Sequence, residues 1–484
     1  MMEDFWGELL LVAYWLFVVG ITFRVIWRRR AIGVSHAWIA LVVLLPIGGP
    51  ILYLLVGENR LGSERAARAR ELREPLMRWL ITLATERDVD WSQFHPASAS
   101  LERLGTSLVG LPALNGNLLK LIDDSEEALR SMIRDIDASR STCHFEFYIW
   151  SNGGMADEVV EALVRAAQRG VRCRILVDAL GSKRFLRSKQ ASQLRDAGVN
   201  VRGALPVGMF RGLFRRLDLR LHRKIAVIDG LIGYTGSLNL VDPRFFKQDE
   251  DFGEWIDTMV RVEGPSVEAL NAIFLADWRL DGAESIEELR RTGDLRPADD
   301  AGPTVVQAFP SGPQHAPGAI HQMLLSTVYA ARRELIMTTP YFVPDAAMLT
   351  ALVTAARRGV DVTIVVPRKV NSFLVRYASA STYDELLAAG VRILLYEGGL
   401  LHSKTVTVDR SIGLIGSVNL DMRSFWLNFE LTLFVYCPNF TQQIVTLQND
   451  YMESCEPLDE KRWLARSRGR RVAENVLRLF SPVL

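Results

Sequence analysis

One 18-residue pattern occurs twice in the chain, and it constrains the fold more than any other feature. The first copy, HRKIAVIDGLIGYTGSLN, spans residues 222–239, and the second, HSKTVTVDRSIGLIGSVN, spans residues 402–419. Each copy has a His, a Lys two residues later, an Asp five residues after that, and then Gly-Ser-x-Asn. One copy alone could arise by chance, but two copies with the same internal spacing indicate a duplicated structural unit.

Within each copy, alternating apolar β-type residues flank a turn, at Asp229-Gly230 in the first and Asp409-Arg410 in the second. This pattern predicts a strand, a turn, a second strand and a loop of small residues. Side chains two apart on a strand share a face. The His and Lys of each copy are therefore predicted to point the same way.

The residues before each copy also repeat. AAQRGV at 166–171 returns as AARRGV at 355–360, and DAGV at 196–199 returns as AAGV at 388–391. Strands and helices alternate in both regions, which favours a duplicated, layered α/β architecture. The predicted boundaries are a membrane anchor of two hydrophobic helices at 1–60, a helical linker at 61–110, a first α/β domain at 111–300 and a second at 301–484.

Two apolar runs lie near the N-terminus, at residues 5–27 and 37–56. The first is long enough to cross a bilayer. The second contains Pro46, Gly48, Gly49 and Pro50, and these predict a kinked or re-entrant helix rather than a straight one. The acidic start MMEDFWGE argues against a cleaved signal peptide. We therefore expect a transmembrane helical hairpin. The basic residues that flank the apolar runs favour the cytoplasmic side of the membrane for the catalytic part.

Composition excludes some classes of function. The net charge of +1 gives no support to bulk binding of nucleic acid. The four cysteines are widely spaced, so neither a zinc site nor a disulfide framework is indicated. If the two halves pack about a pseudo-two-fold axis, two imidazoles, two ammonium groups and two Asn amides converge at one cleft. Such a set suits a phosphodiester, because the cations and amides stabilise charge on the phosphate oxygens.

The two copies match the double HxKxxxxD motif of the phospholipase D superfamily. Together with DMRSFWLNFE at 421–430, they make the chain resemble the bacterial cardiolipin synthases of that superfamily along nearly its whole length. The resemblance implies two phospholipase D-like α/β sandwich domains related by a pseudo-two-fold duplication, after an N-terminal transmembrane hairpin. It also implies a multi-pass protein of the bacterial inner membrane, a phosphohistidine intermediate, and no cofactor or metal.

The site residues follow from the motifs and the resemblance. The expected catalytic set is His222, Lys224, Asp229, His402, Lys404 and Asp409. The expected substrate-binding set is Ser237, Asn239, Ser417, Asn419, Glu254 and Glu430.

Not all of these residues are expected to take part in the chemistry. The two Asp residues stand at turns, where they are expected to act more as structural supports than as chemical participants. Each His also needs a carboxylate that orients it. The superfamily often has a Glu about 30 residues after the motif His, and Glu254 and Glu430 fit this spacing; the alternative is that both are exposed or capping acids.

Three classes of function remain open. They are phosphatidyl transfer between two phosphatidylglycerols, hydrolysis by a phospholipase or nuclease, and lipid binding by a degenerate site. The intact motifs disfavour the last class, and the full-length resemblance favours the first. Residues 209–223, MFRGLFRRLDLRLHR, mix aromatic and basic residues and suit contact with anionic lipid, or alternatively form a solvated basic face. His222 is the expected nucleophile and His402 the expected general acid.

Overall fold

The computed structural model describes most of the chain: residues 2–28, 32–45, 47–58, 89–206, 218–247, 252–281 and 297–479, with Arg65, Arg68, Arg216, Glu284 and Glu288. The chain divides into two compact units. The first comprises Met1–Ser63 with Val207–Leu219, and the second comprises Glu64–Pro206 with Arg220–Leu484. Most of the basic aromatic stretch at 209–223 lies outside the described residues.

The first unit contains three apolar helices: α1 (Met2–Trp27), α2 (Ile32–Leu44) and α3 (Gly48–Val56). The second apolar run is therefore broken, as its Pro and Gly residues predicted. At 13 and 9 residues, α2 and α3 span only about 20 and 14 Å, too short to cross a bilayer separately. Among the described residues, only α1 is long and apolar enough to cross a membrane. A hairpin that crosses twice therefore stays a prediction.

The second unit carries both copies of the repeat. Its first half contains α4 (Ser98–Val109), β1 (Leu114–Ile122), α5 (Ser125–Ala138), β2 (Thr142–Phe147), α6 (Met155–Gln168), β3 (Arg172–Asp178), α7 (Lys183–Leu186), α8 (Lys189–Asp196), β4 (Asn200–Ala204), β5 (Lys224–Ile228), β6 (Ile232–Gly236), β7 (Trp255–Ile256), β8 (Met259–Glu263) and α9 (Ser266–Asp281).

The second half repeats this order with small additions. It contains β9 (Thr304–Ser311), α10 (Ala319–Ala330), β10 (Glu334–Thr338), β11 (Phe342–Val343), α11 (Ala346–Arg357), β12 (Asp361–Pro367), α12 (Phe373–Ala380), α13 (Tyr383–Ala388), β13 (Arg392–Tyr396), β14 (Leu400–Leu401), β15 (Thr405–Val408), β16 (Ile412–Gly416), β17 (Leu420–Asp421), α14 (Met422–Trp426), β18 (Glu430–Val435), α15 (Pro438–Glu453), β19 (Cys455–Pro457), α16 (Glu460–Leu464) and α17 (Arg468–Arg478).

Fifteen strands form one continuous sheet across both halves, in the order β19-β13-β12-β10-β15-β16-β18-β9-β1-β8-β6-β5-β2-β3-β4. The order is symmetric about the antiparallel contact between β1 and β9. Strands β2, β3 and β4 are parallel to one another, as are their counterparts β10, β12 and β13. This matched order confirms the predicted duplication of an α/β unit. The exact domain boundaries at 110 and 300 stay predictions.

Helices cover both faces of the sheet, as the alternation of side chains along β5 shows. Ile225 and Val227 belong to the buried cluster that includes Leu270 of α9. Ala226 and Ile228, pointing to the opposite face, belong to the cluster that includes Val159 of α6. All five residues of β5 are buried. The motif strand is therefore rigidly held in the middle of a layered α/β fold.

Candidate active site

Backbone pairing between the two halves brings the repeated motifs together. The segment before His222 bridges to Phe429, and the amide of His222 donates to the Phe429 carbonyl at 2.8 Å. In the symmetric arrangement β14 pairs with β7, and the amide of His402 donates to the Ile256 carbonyl at 2.8 Å. Each motif His is thus attached to the strand of the other half, just before an acidic residue of that half.

Those acidic residues orient the imidazoles. Nδ1 of His222 lies 2.8 Å from Oε2 of Glu430, and Nδ1 of His402 lies 2.7 Å from Oδ1 of Asp257. Both carboxylates are fully buried. Among the described residues, Nδ1 is the only nitrogen of either ring with a hydrogen-bond partner. A charged carboxylate at Nδ1 selects the tautomer whose Nε2 carries a lone pair.

Glu430, expected from its spacing after His402, lies instead at His222 of the other copy. Glu254 is exposed and lies at neither imidazole, while Asp257, three residues later, takes the expected place. The sequence does contain a signal for Asp257. DTMVRVE at 257–263 and ELTLFV at 430–435 both place an acid at the head of an alternating apolar strand, whereas Glu254 precedes such a run by several residues.

The serines of the two Gly-Ser-x-Asn loops hold the carboxylates. The hydroxyl of Ser237 donates to Asp257 at 2.6 Å, and that of Ser417 donates to Glu430 at 2.6 Å. Glu430 also accepts from the side chains of Ser424 and Asn428, at 3.0 and 3.2 Å. The serines were expected to bind substrate, but their hydroxyls are committed to positioning the acids that position the imidazoles.

The two asparagines are buried beside the motif, as predicted, but their contacts differ. Oδ1 of Asn239 accepts from the amide of Ile149 at 3.2 Å. Oδ1 of Asn419 is buried and has no hydrogen-bond partner among the described residues. Aromatic rings complete the surroundings, with the rings of Tyr148 and Trp255 centred 4.9 and 4.3 Å from His222 and His402. Sequence reasoning had not singled out either aromatic residue.

Burial lowers the pKa of the two motif lysines. Each Nζ donates to the backbone carbonyl of its own motif His, at 2.6 Å for Lys224. Desolvation lowers the pKa of Lys224 to about 8 and that of Lys404 to about 7, against the attraction of Asp257 and Glu430. Both ammonium groups would gain stability from a bound anion, because a negative charge offsets part of the desolvation.

Burial also keeps the imidazoles neutral. Desolvation, helped by the neighbouring lysines and opposed by the carboxylates, lowers the pKa of His222 to about 4 and that of His402 to about 3. Lys404 acts on His222 and Lys224 acts on His402, so the two copies form one electrostatic unit. At neutral pH each ring therefore offers an Nε2 lone pair suited to nucleophilic attack or proton transfer.

The motif aspartates lie away from this chemistry. Asp229 accepts hydrogen bonds from the amides of Arg140, Ser141 and Thr142 at 2.7–2.9 Å. Asp409 makes the equivalent bonds to the amides of residues 332–334, and its carboxylate also contacts His95 at 3.1 Å. Both aspartates join the β-hairpin of their motif to the start of the neighbouring strand. These contacts fit the expected role as supports, and neither carboxylate bonds to a motif imidazole.

Replacing Asp229 with asparagine should therefore destabilise the fold with little effect on chemistry. Asp229 has a positive φ of 55°, which asparagine tolerates, so the substitution mainly removes the charge that accepts three amides. We expect a loss of about 1–3 kcal/mol in the free energy of unfolding. Denaturant unfolding measures the loss, and kcat per folded molecule should stay within about twofold. A loss of kcat without a loss of stability would contradict the supporting role.

Among the residues described here, no group of three or more His, Cys, Asp or Glu side chains is arranged to hold a metal ion. The four cysteines are unpaired with one another in disulfides, and Cys143 and Cys173 are buried. Two lysines and two carboxylates of the described residues converge on the two neutral imidazoles.

Comparisons with known proteins agree with this geometry. The family described as "Cardiolipin synthase, PLD-like domain" matches residues 132–278 and 324–450, one segment for each half. Proteins named cardiolipin synthase A from Escherichia fergusonii and Klebsiella pneumoniae are each 44% identical over 476 residues, covering 98% of both chains. One from Salmonella arizonae is 43% identical over the same share.

A solved structure shares the fold at much lower identity. Phosphatidylserine synthase of Haemophilus influenzae superposes with a TM-score of 0.58 at 16% identity, covering 80% of this chain and all of that one. The duplicated sheet, the paired motifs and the near-full-length similarity together show that this chain belongs to the cardiolipin synthase family of phospholipase D-like proteins.

Proposed function

We propose that the chain transfers a phosphatidyl group from one phosphatidylglycerol to a second, forming cardiolipin and releasing glycerol. One observation carries the chemical part of this proposal. Two buried imidazoles, neutral at pH 7, each bind a carboxylate of the opposite half through Nδ1. The similarity to proteins named cardiolipin synthase A supports the choice of substrate.

In the first step Nε2 of His222 attacks the phosphorus of the donor lipid. The bond from phosphorus to the glycerol oxygen breaks, and His402, in its protonated form, gives its proton to that oxygen. The negative phosphodiester raises the pKa of His402 on binding, which makes this proton available. The products of the step are free glycerol and a phosphatidyl group bound to His222.

In the second step the acceptor lipid replaces glycerol. Neutral His402 takes the proton of a glycerol hydroxyl on the second phosphatidylglycerol, and the oxygen attacks the phosphorus. The bond between phosphorus and Nε2 breaks, cardiolipin leaves, and His402 is protonated again. Lys224, Lys404 and the motif asparagines donate to the non-bridging phosphate oxygens during both steps.

Membrane attachment is part of the same proposal. The apolar helix α1 suits an anchor in the bacterial inner membrane, where both lipid substrates reside. A multi-pass arrangement with the catalytic part on the cytoplasmic face is the topology we propose. Nothing in the charge of the chain favours nucleic acid as a partner.

Purified protein in vesicles containing phosphatidylglycerol labelled in the head group tests the function. We expect labelled glycerol and labelled cardiolipin in equal amounts, because the head group of the donor leaves while that of the acceptor bridges the two phosphates. The rate should be largely retained in excess EDTA. Phosphatidic acid as the sole lipid product would show that water is the acceptor and that the chain is a hydrolase. Complete loss in EDTA, restored by one divalent ion, would contradict the metal-free mechanism.

The pH dependence of kcat/KM should reflect the buried lysines. As pH rises through the lysine pKa values of about 7 and about 8, the ammonium groups lose the charge that holds the phosphate. We therefore expect kcat/KM on a soluble short-chain phosphatidylglycerol to fall by up to about tenfold per pH unit between the two pKa values and more steeply above both. In Lys404→Arg the falling limb should move to higher pH, because guanidinium stays charged. An unmoved limb in an active Lys404→Arg enzyme would assign it to another group.

A further inference from the structure

The last helix of the described chain turns an apolar stripe outward. In α17, Val472 and Val476 are 62% and 48% exposed, and Leu479, directly after the helix, is 77% exposed. Leu479 keeps helical backbone angles. Since a helix turns about 100° per residue, these three side chains lie along one side. A helix of a soluble domain normally buries such a stripe.

A buried ion cluster keeps the helix in this orientation. Glu474 is 1% exposed and accepts from Arg466 and Arg470 at 2.9 and 3.0 Å. Arg466 also pairs with Asp384 at 2.7 Å and lies over the ring of Trp463. Rotating the valines inward would turn Glu474 away from Arg466, whose side chain is only 7% exposed, and would break this buried ion pair, which is costly. The outward direction of the stripe is therefore set by the fold.

Basic residues run along one side of the stripe. From the helical spacing, Arg468, Arg471 and Arg478 fall on the same flank of Val472. Glu474, which faces inward and is already paired, is the only acidic residue of α17. An exposed apolar stripe beside arginines is typical of helices that lie in the interface of an anionic bilayer.

The neighbouring helix α12, against which α17 packs, also exposes apolar side chains. Phe373 and Leu374, at the start of α12, are 63% and 40% exposed. The ring of Phe373 lies 4.5 Å from that of Tyr377. We call the exposed side chains of Phe373, Leu374, Val472, Val476 and Leu479 the α12–α17 surface.

The α12–α17 surface is joined to the active site through a short path of contacts. Val375 and Ala378, on the inner side of α12, pack with Val343 of β11, and Ser379 donates to the Phe342 carbonyl at 2.6 Å. Strand β11 pairs with β17, which begins at the residue after Asn419. Only one helix and one strand pair thus separate this surface from the second motif.

We propose that the α12–α17 surface inserts into the head-group region of a bilayer containing anionic phospholipid and so holds the active site at the lipid surface. The proposal rests on the proposed function only for the idea that the substrate is a lipid. A second copy of the chain fits this surface less well, because an antiparallel symmetric contact would bring the arginine flanks of the two helices together. Lipid phosphates instead complement them.

The first test measures where Val476 lies when the full-length protein is in vesicles. Val476→Cys is labelled with an environment-sensitive fluorophore, and the control is Leu231→Cys, a 49% exposed position at the β5–β6 turn. Label on the unsubstituted chain gives the background from the native cysteines. With phosphatidylglycerol present, the label at 476 should shift to the blue and be quenched by lipid-borne quenchers, unlike the label at 231.

In vesicles made of phosphatidylcholine alone the blue shift should be smaller, because the arginines are no longer attracted by anionic lipid. Equal exposure of both labels to an aqueous quencher in anionic vesicles would overturn the proposal. A blue-shifted label at 476 that lipid-borne quenchers do not reach would assign the surface to protein, either a second copy or another segment of this chain, and would overturn the proposal too.

The second test separates membrane contact from catalysis. Val472→Ser combined with Val476→Ser should raise KM for phosphatidylglycerol in vesicles about tenfold through lost apolar burial. The matched control combines Leu231→Ser with Tyr329→Ser, two exposed positions away from the α12–α17 surface, and should change KM less than about twofold. On a short-chain soluble lipid both variants should match the unsubstituted enzyme. Equal losses on both substrates would overturn the proposal, whereas lipid insertion at position 476 without any transferase activity would instead overturn the proposed function.

Discussion

Replacing His222 with alanine should lower the rate of cardiolipin formation by about 10⁴-fold or more, because the variant lacks the nitrogen that bonds to phosphorus. His402→Ala should cost about 10²- to 10⁴-fold, the usual contribution of a general acid and base. The difference arises because a solvent proton can partly replace His402, but no described neighbour can replace a nucleophile held by Glu430 at 2.8 Å. Initial rates with labelled phosphatidylglycerol measure both losses.

Trapping with lipid radiolabelled at phosphorus, quenched in denaturant at mildly alkaline pH where phosphohistidine is stable, assigns the two roles. In His402→Ala the label should accumulate on the peptide that contains His222, since the second step lacks its base. Label on His402 in the His222→Ala enzyme would reverse the assignment. A matched control is His321→Gln, which alters another His–Asp pair, the partly buried pair of His321 and Asp345 at 2.9 Å. This control should keep kcat within about threefold once its folded fraction is measured.

Neutralising the carboxylate that orients a motif His should lower kcat almost as much as removing the imidazole itself. Glu430→Gln and Asp257→Asn each keep the shape of the side chain but remove the charge that selects the tautomer and stabilises the imidazolium. We expect kcat to fall about 10²- to 10⁴-fold in each. Because Glu430 and Asp257 belong to different halves, a loss in both would show that each half activates the histidine of the other.

The exposed acid Glu254 provides the control for this experiment. Glu254→Gln should keep kcat within about twofold, because its side chain lies at neither imidazole. Ser237→Ala and Ser417→Ala should give intermediate losses of about tenfold, since each removes one hydrogen bond that positions a carboxylate. Near-normal activity of Glu430→Gln, or a large loss in Glu254→Gln, would contradict the assignment of orienting acids.

Local patterns were sufficient to predict the repeated unit. The alternation around residues 222–239 and 402–419 predicted the hairpins β5–β6 and β15–β16, because the period of two is a property of the strand itself. The turn chemistry of Asp229 and Asp409 predicted supports rather than reactants, and their amide contacts agree. Pro and Gly residues in the second apolar run likewise predicted the break between α2 and α3.

Spacing along the chain was a weaker guide to contacts made in three dimensions. His222 and Glu430 are 208 residues apart, and His402 and Asp257 are 145 apart. The partner of each imidazole depends on which strand of the other half its backbone joins. Counting about 30 residues from each His therefore found Glu430, although Glu430 orients the His of the other copy. In the first half the same count pointed to Glu254, whereas the orienting acid is Asp257.

The sequence by itself determined which chemical groups are available, since two His, two Lys and their repeated spacing are local facts. Only the tertiary structure decided the protonation state of these groups. Burial keeps the imidazoles neutral and lowers the pKa of both lysines, and burial is a property of the packed sheet and helices. The outward stripe of α17 has the same origin, because ion pairs with Arg466 and Arg470 hold Glu474 inside and leave the valines facing out.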